Sequence, residues 1–313
     1  MEKLSPIVLF VYNRVDHTKK VVEGLLQNKE AKDSELYIFA DGPKVDASKE
    51  EIREIKAVQE YILTIKGFKK HTIEVSEKNR GCAPHTIYAI SKIFQSYDKA
   101  IILEDDDIPT PYFLSFVNEC LNKYQNDSHV WCVSGFTNTN AMIPLEGSEA
   151  FMINRPVSWG FGTWKRCWDK VIWDIDNLKG LFRHKSIPIG FDKWEGPDSS
   201  TIMYGLFHGN NSSWSIRYNF AAYLNDAKTI LPNKSLIINI GCDGTGTHSG
   251  KTSKYQITTM CRPVIIPEII DFDEKRNAQM NESWVPQKLI YRLMHHLGIL
   301  TSIRMLFNKK HRI

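Results

Sequence analysis

The apolar run from Lys99 to Leu103 ends directly in four consecutive carboxylates, Glu104-Asp105-Asp106-Asp107. This junction restricts what the chain can fold into. The apolar part belongs inside as a buried strand, and the acidic part must then stand at the lip of the core. Adjacent carboxylates there repel one another and lose solvation unless a cation or hydrogen-bond donors balance them. A hard divalent ion, held by one or two carboxylates together with substrate phosphates, meets that demand. Such an ion also neutralises charge on a departing diphosphate as a Lewis acid. A solvated acidic loop, or a helix N-terminus where the dipole favours negative charge, accounts for the four residues equally well on their own.

The surrounding sequence alternates strand-like and helix-like segments. Pro6 to Tyr12, Leu36 to Ala40, His71 to Ser76, Lys99 to Leu103 and Val130 to Ser134 read as strands. Between them, Asp16 to Asn28, Ser48 to Lys66, Gly81 to Tyr97 and Tyr112 to Tyr124 carry apolar residues at helical spacing. This order predicts an α/β fold: a mainly parallel central sheet flanked by helices. Ligands bind such sheets at the carboxyl ends of the strands. The residues expected there are Asn13-Arg14, Asp41, Asn79-Arg80 and Glu104 to Asp107, so four strand exits present polar groups to one rim.

Composition narrows the class. A chain of 313 residues, 42% hydrophobic and 24% charged, is large enough for one substantial folded domain, or one domain with an appendage. The net charge is +4, yet no Asp or Glu follows Glu282, and the last segment adds six positive charges, leaving about −2 for the rest. A basic face for nucleic acid is therefore not expected. The six cysteines are scattered without a CxxC pair or zinc spacing, which fits a reducing cytoplasm. The apolar start at Pro6 is too short for a signal peptide, and no segment is long enough to span a bilayer. Leu289, Leu293, Leu297, Leu300 and Ile303 recur at helical spacing among the basic residues, so residues 287–313 are expected to form an amphipathic helix touching an anionic membrane surface or docking on protein.

From about Phe151 to His248 tryptophan is dense and Gly and Pro interrupt the periodicity. Large flat side chains among Asp, Asn and Arg suit a carbohydrate pocket; an aromatic core under long loops is the plainer reading.

The words PIVLFVYNR, LYIFADGPK, ILEDDDIPTPYFLSF and VWCVSGF, in this order, resemble the family 2-like glycosyltransferases of the GT-A fold, over roughly residues 5 to 250. The stretch Ile102 to Gly135 is also similar to the corresponding part of N-acetylglucosaminyltransferase I. The resemblance implies a GT-A catalytic domain over 1–250, with a nucleotide-sugar-binding half (1–135) and an acceptor-binding half (136–250), and a C-terminal extension over 251–313. It implies that Arg14 contacts the donor diphosphate, Asp41 the uracil-like base, and Glu104 and Asp105 the base and ribose. Asn79-Arg80-Gly81 resembles a family loop near the donor. Asp106 would bind Mn²⁺ or Mg²⁺. The late segment ending in Thr247-His248 resembles a family motif whose His completes the metal shell. The loop Ser158 to Trp164 resembles the acceptor side, with Trp159 or Trp164 as a stacking platform and its glycines letting backbone approach a sugar.

The sequence departs from the resemblance at the base. Inverting relatives carry an Asp beside a Trp, whereas here Asn211-Ser212-Ser213-Trp214-Ser215-Ile216-Arg217 has serine in that place. Serine cannot deprotonate a hydroxyl near neutral pH without a base of its own. Asp198, Asp192 and Glu195 are the candidate bases, with Asp243 a further one, and Trp214 and Arg217 are placed with the acceptor. The expectation is a metal-dependent, inverting transfer of a hexose or N-acetylhexosamine from a nucleotide-diphosphate sugar, UDP-linked by preference. The acceptor would be a polysaccharide or lipid-linked oligosaccharide at the cytoplasmic membrane face. The rivals are a catalytically silent nucleotide-sugar-binding subunit and a sugar nucleotidyltransferase.

Overall fold

A computed structural model describes residues 4–139, 148–244, 252 and 257–284. The first half alternates as its periodicity predicts: β1 (Ile7–Val11), α1 (Val15–Leu26), β2 (Glu35–Ala40), α2 (Lys49–Ile62), β3 (Lys70–Val75), α3 (Cys82–Ile93) and β4 (Lys99–Glu104). There follow β5 (Asp107–Pro109), α4 (Phe113–Lys123) and β6 (Val130–Ser134). Beyond the aperiodic region come β7 (Ala150–Ile153), β8 (Phe161–Trp164) and α5 (Lys165–Trp168), then α6 (Ile175–Phe182), α7 (Ser186–Glu195), α8 (Ser199–Phe207) and α9 (Ser215–Leu224). The described chain closes with β9 (Lys228–Pro232), β10 (Ile237–Asn239) and α10 (Glu274–Ser283).

Eight strands form one mixed sheet in the order β3-β2-β1-β4-β8-β6-β9-β7. β1 pairs in parallel with both β2 and β4, and β2 with β3. The expectation of a mainly parallel sheet holds on this side. Across the middle, β8 is inserted antiparallel between β4 and β6, and β7 runs antiparallel to β9. β8 has the sequence FGTW, too short and too glycine-interrupted to be legible as a strand by periodicity. Every residue of β1, β6 and β8 is buried, because helices cover both faces.

A two-stranded antiparallel ribbon, β5 with β10, crosses the carboxyl end of β4 and places Asn239 opposite Asp107. The core continues through a second cluster, Leu178, Phe182, Phe191, Met203, Leu206, Ile216 and Phe220, in the helices α6 to α9. Residues 257–284 return to the sheet, where Met152 bridges Phe272 and Ser235 bridges Thr259. None of the described helices is long and apolar enough to cross a membrane. His248 and residues 287–313 lie outside the described residues.

Candidate active site

β4 ends between β1 and the inserted β8, and its exit delivers the acidic run to a cavity of about 450 Å³. The four carboxylates part company there. Asp107 is fully buried and turned inward: one oxygen accepts from the Gly160 N–H at 3.0 Å and the Glu104 N–H at 3.3 Å, the other from Asn239 Nδ2 at 3.0 Å. It ties three segments together. Burial, with Asp106 and Glu104 close by, raises its pKa well above the ordinary carboxylate range.

Asp106 faces the cavity. Its Oδ2 accepts from Arg14 Nη2 at 2.9 Å and its Oδ1 from Asn239 Nδ2 at 3.2 Å. Asp105 is gripped by the same guanidinium, with Arg14 Nε at 3.3 Å and Nη2 on its other oxygen. Arg14 leaves β1 just before α1, so parallel pairing of β1 with β4 brings the two exits side by side. Glu104 also lines the cavity; burial, then the neighbouring Asp106 and Asp105, push its pKa up to about 8, against a hydrogen bond from Trp214.

Gly241 shows how closely the backbone approaches this group. A Cβ on Gly241 would stand 2.1 Å from Asp106 Oδ2, so only glycine leaves the carboxylate its place. Among the described residues, no group of three or more His, Cys, Asp or Glu is arranged to hold a metal ion unaided. The donor set suits an ion of a different habit, one that takes one or two carboxylates and completes its shell with phosphate and water. Asp106 and Glu104, both at the cavity, are of that type.

The other predicted donor-side residues are engaged among themselves. Asp41 is buried and accepts backbone N–H bonds from Gly42, Arg80 and Gly81, at 2.9 to 3.2 Å. It pins the loop that starts α3. Asn79 Nδ2 donates to the Gly42 carbonyl at 2.9 Å, and Arg80 lies 4.0 Å over the Tyr88 ring while donating to Ser76 Oγ. None of the three lines the cavity described above.

The far wall comes from the second half. Of the candidate bases, Asp198 alone reaches the cavity. Arg155 holds it with two hydrogen bonds, Nη1 at 2.8 Å and Nη2 at 3.0 Å. Glu195 is fully buried behind it, 3.4 Å from Arg155 Nε and bonded by Asn219; burial, and Asp198 nearby, raise its pKa to about 7. Asp192 is buried too, and its carboxylate accepts from the Ser200 N–H and hydroxyl at 2.8 Å, capping α8. Neither lines the cavity. Asp243 stands 3.2 Å from His17.

The aromatic residues divide in the same way. Trp159 and Trp214 line the cavity, Trp159 edge-on to Phe136 at 4.6 Å and Trp214 stacked on Phe161 at 5.8 Å. Trp164, expected as a possible platform, lies in the core instead, only 1% exposed, its indole N–H donating to the Leu121 carbonyl at 3.1 Å. As the last residue of β8 it is drawn inside with the strand. Arg217 is likewise structural: it donates to the Ser213 and Trp173 carbonyls at 3.2 and 3.1 Å. The glycines of this loop are packed against side chains: a Cβ on Gly160 would strike Ile237, and one on Gly162 would strike Val117 and Leu121. Ser213 reaches the cavity wall, but its hydroxyl accepts from the Ile216 N–H at 3.3 Å, capping α9. Asn239, which opens the late segment that runs to Thr247-His248, lines the cavity as well. Reasoning from sequence passed over Arg155 and Trp284, which also line it; neither stands in a motif, and only the fold brings them there.

Residues 1–155 match the family described as the GNT-I family. The chain is similar to the GNT-I family. The matched stretch contains both strand exits that carry Arg14 and the acidic run, and it ends at Arg155. A comparison with curated proteins gave no match. Among solved structures, TarS of S. aureus is 12% identical with a TM-score of 0.40, covering 75% of this chain and 36% of its own. Glucosyl-3-phosphoglycerate synthase from Mycobacterium tuberculosis, solved with Mn²⁺, UDP and phosphoglyceric acid, is 13% identical with a TM-score of 0.31, covering 54% of this chain and 58% of its own. The chain thus spans well under two thirds of either protein.

Proposed function

We propose that this chain is a metal-dependent glycosyltransferase that takes a hexose or N-acetylhexosamine from a UDP-linked donor. The observation that carries the reading is that Asp106 and Arg14, delivered by neighbouring parallel strands, face one cavity as an acid–base pair 2.9 Å apart. Mn²⁺ or Mg²⁺, when bound, would supply positive charge against the leaving diphosphate. Asp106 and Glu104 are the residues that would hold it. Arg14 binds and orients the diphosphate oxygens; its planar fork suits them. Trp214 keeps Glu104 turned to the cavity through their hydrogen bond. On the opposite wall Asp198, oriented by Arg155, takes the proton from the acceptor hydroxyl, in an inverting displacement. Trp159 and Trp214 bound the acceptor space.

The acceptor class is proposed to be a polysaccharide or lipid-linked oligosaccharide, with residues 287–313 touching an anionic membrane surface from the cytoplasmic side. That part rests on the basic, helically spaced sequence of the tail.

Incubating the full chain with UDP-glucose or UDP-N-acetylglucosamine and Mn²⁺ tests the assignment. Slow release of UDP that disappears on chelation is expected. The second reading, a silent nucleotide-sugar-binding subunit, draws on Ser213, whose hydroxyl is spent on capping α9. Tight UDP binding without any turnover would favour it, and release of pyrophosphate would favour a nucleotidyltransferase.

A further inference from the structure

The wall facing the acidic run is completed by Trp284, directly after α10, from a stretch of chain past residue 250. Its ring lies 4.6 Å from the Arg155 guanidinium and meets Trp159 edge-on with ring centres 5.7 Å apart. The helix that delivers it is anchored. Asp273 caps its N-terminus, Asn277 accepts from the Asn154 N–H at 2.8 Å, Asn281 donates to the Trp194 carbonyl at 3.2 Å, and Met280 is fully buried. Trp284 is thus held in place, yet stays only part-buried at the cavity. An indole kept in that position offers an apolar surface of the size of one pyranose ring.

The charges beside it bear on what kind of ring fits. Arg155 is already matched by Asp198 and Glu195. An anionic ring here would face Asp198 while Arg155 is already engaged with carboxylates, an arrangement that repels it. A neutral ring meets no such penalty, and its hydroxyls donate to the Asp198 carboxylate.

We propose that Trp284 and Asp198 form the acceptor subsite, and that it takes an uncharged sugar ring, whose C–H face packs on the indole and whose hydroxyls bond Asp198. This inference rests on the transferase reading above. It makes the segment after residue 250 part of acceptor recognition.

The test is an NMR titration of the full chain with methyl β-glucoside, methyl N-acetyl-β-glucosaminide and methyl β-glucuronide, with MnCl₂ and UDP present. The uncharged glycosides should bind the wild type, and the glucuronide at least about fivefold more weakly. Trp284→Ala should weaken the uncharged glycosides about tenfold and Trp284→Phe less than about threefold, as expected for an aromatic stacking contact. UDP affinity should hold within about twofold in both variants, which also reports that they are folded. The subsite is overturned if the wild type binds no uncharged glycoside, if the glucuronide binds as well or better, or if Trp284→Ala binds like wild type. Failure of the wild type to bind UDP overturns the donor reading; titration without UDP then still decides the subsite by the same criteria.

Discussion

Arg14 and Asp106, 92 residues apart in the chain, meet at 2.9 Å at the mouth of the cavity, and the same guanidinium also grips Asp105. One cation therefore steadies two neighbouring carboxylates at once. Burial does still raise the pKa of Asp105, so Arg14 offsets the cost only in part. Replacing Arg14 with Met is expected to cost about 3 kcal/mol of unfolding free energy, the penalty for leaving buried carboxylates without their partner. Urea unfolding of wild type and variant measures it. Added Mn²⁺ should restore part of the loss, because it supplies charge at the same place.

Asp106 and Asp107 are adjacent in sequence and opposite in task. Asp107→Ala removes the acceptor of three hydrogen bonds and leaves their donors buried, so a loss of about 3 kcal/mol in stability is expected. Asp106→Asn should melt close to wild type, yet lose Mn²⁺-dependent UDP binding by about 100-fold, on the order of the 2–5 kcal/mol that charged contacts carry. Paired thermal melts and UDP titrations separate the two. If Asp106→Asn bound UDP and Mn²⁺ as wild type does, the donor site would be misassigned.

Gly241 makes an independent probe of the same carboxylate. Gly241→Ala drives a methyl group to within 2.1 Å of Asp106 Oδ2, so the side chain or the loop must move. Overpacking of this kind costs about 1–3 kcal/mol, and it should weaken UDP binding along with stability, whereas Gly180→Ala, where the added carbon meets nothing within 4 Å, should do neither. Differential scanning calorimetry with and without UDP reads both.

Asp198 is expected to act on the acceptor only. Asp198→Asn should lower transfer to an acceptor by at least about 100-fold, the usual contribution of a positioned base, while UDP affinity stays within about twofold of wild type. Transfer that survives in Asp198→Asn would move the base elsewhere.

Glu195 predicts a pH effect. Its folded pKa is raised from 4.5 to about 7, chiefly by burial, so between those values the native state holds a proton that the unfolded chain has released. Its contribution to stability is full below about pH 4.5 and is lost as pH rises through about 7. Glu195→Gln, which cannot ionise and keeps the carbonyl that Asn219 contacts, should flatten the fall in stability over that window, a difference of about 3 kcal/mol by pH 8. Melting curves from pH 4.5 to 8 give the slope directly.

Much of the first half is legible in the sequence, for a plain reason. The runs Ile7 to Val11, Leu36 to Ala40 and Lys99 to Leu103 are apolar on both faces, which a strand in a two-sided parallel sheet requires, and the helices between them carry apolar residues at a fixed turn. Their order then sets where Arg14 and the acidic run emerge. Local pattern and global topology agree there, so reading one reveals the other.

The wall built by the second half obeys no such rule. Nothing in FGTW announces a strand threaded antiparallel through the middle of the sheet, nor that Trp164 on it would be swallowed by the core while Trp159, five residues earlier, stays at the cavity. Arg155, Asp198 and Trp284 are spread over 130 positions and meet because Arg155, just past β7, bonds Asp198 ahead of α8 and lies over the ring of Trp284 after α10, with no spacing that links them. Periodicity is a local property of the backbone, and it is enough to locate the strand exits and the side chains they carry. Which acids turn outward to the cavity and which are spent on caps and buried pairs was decided by tertiary structure, since that depends on contacts between segments far apart in the chain.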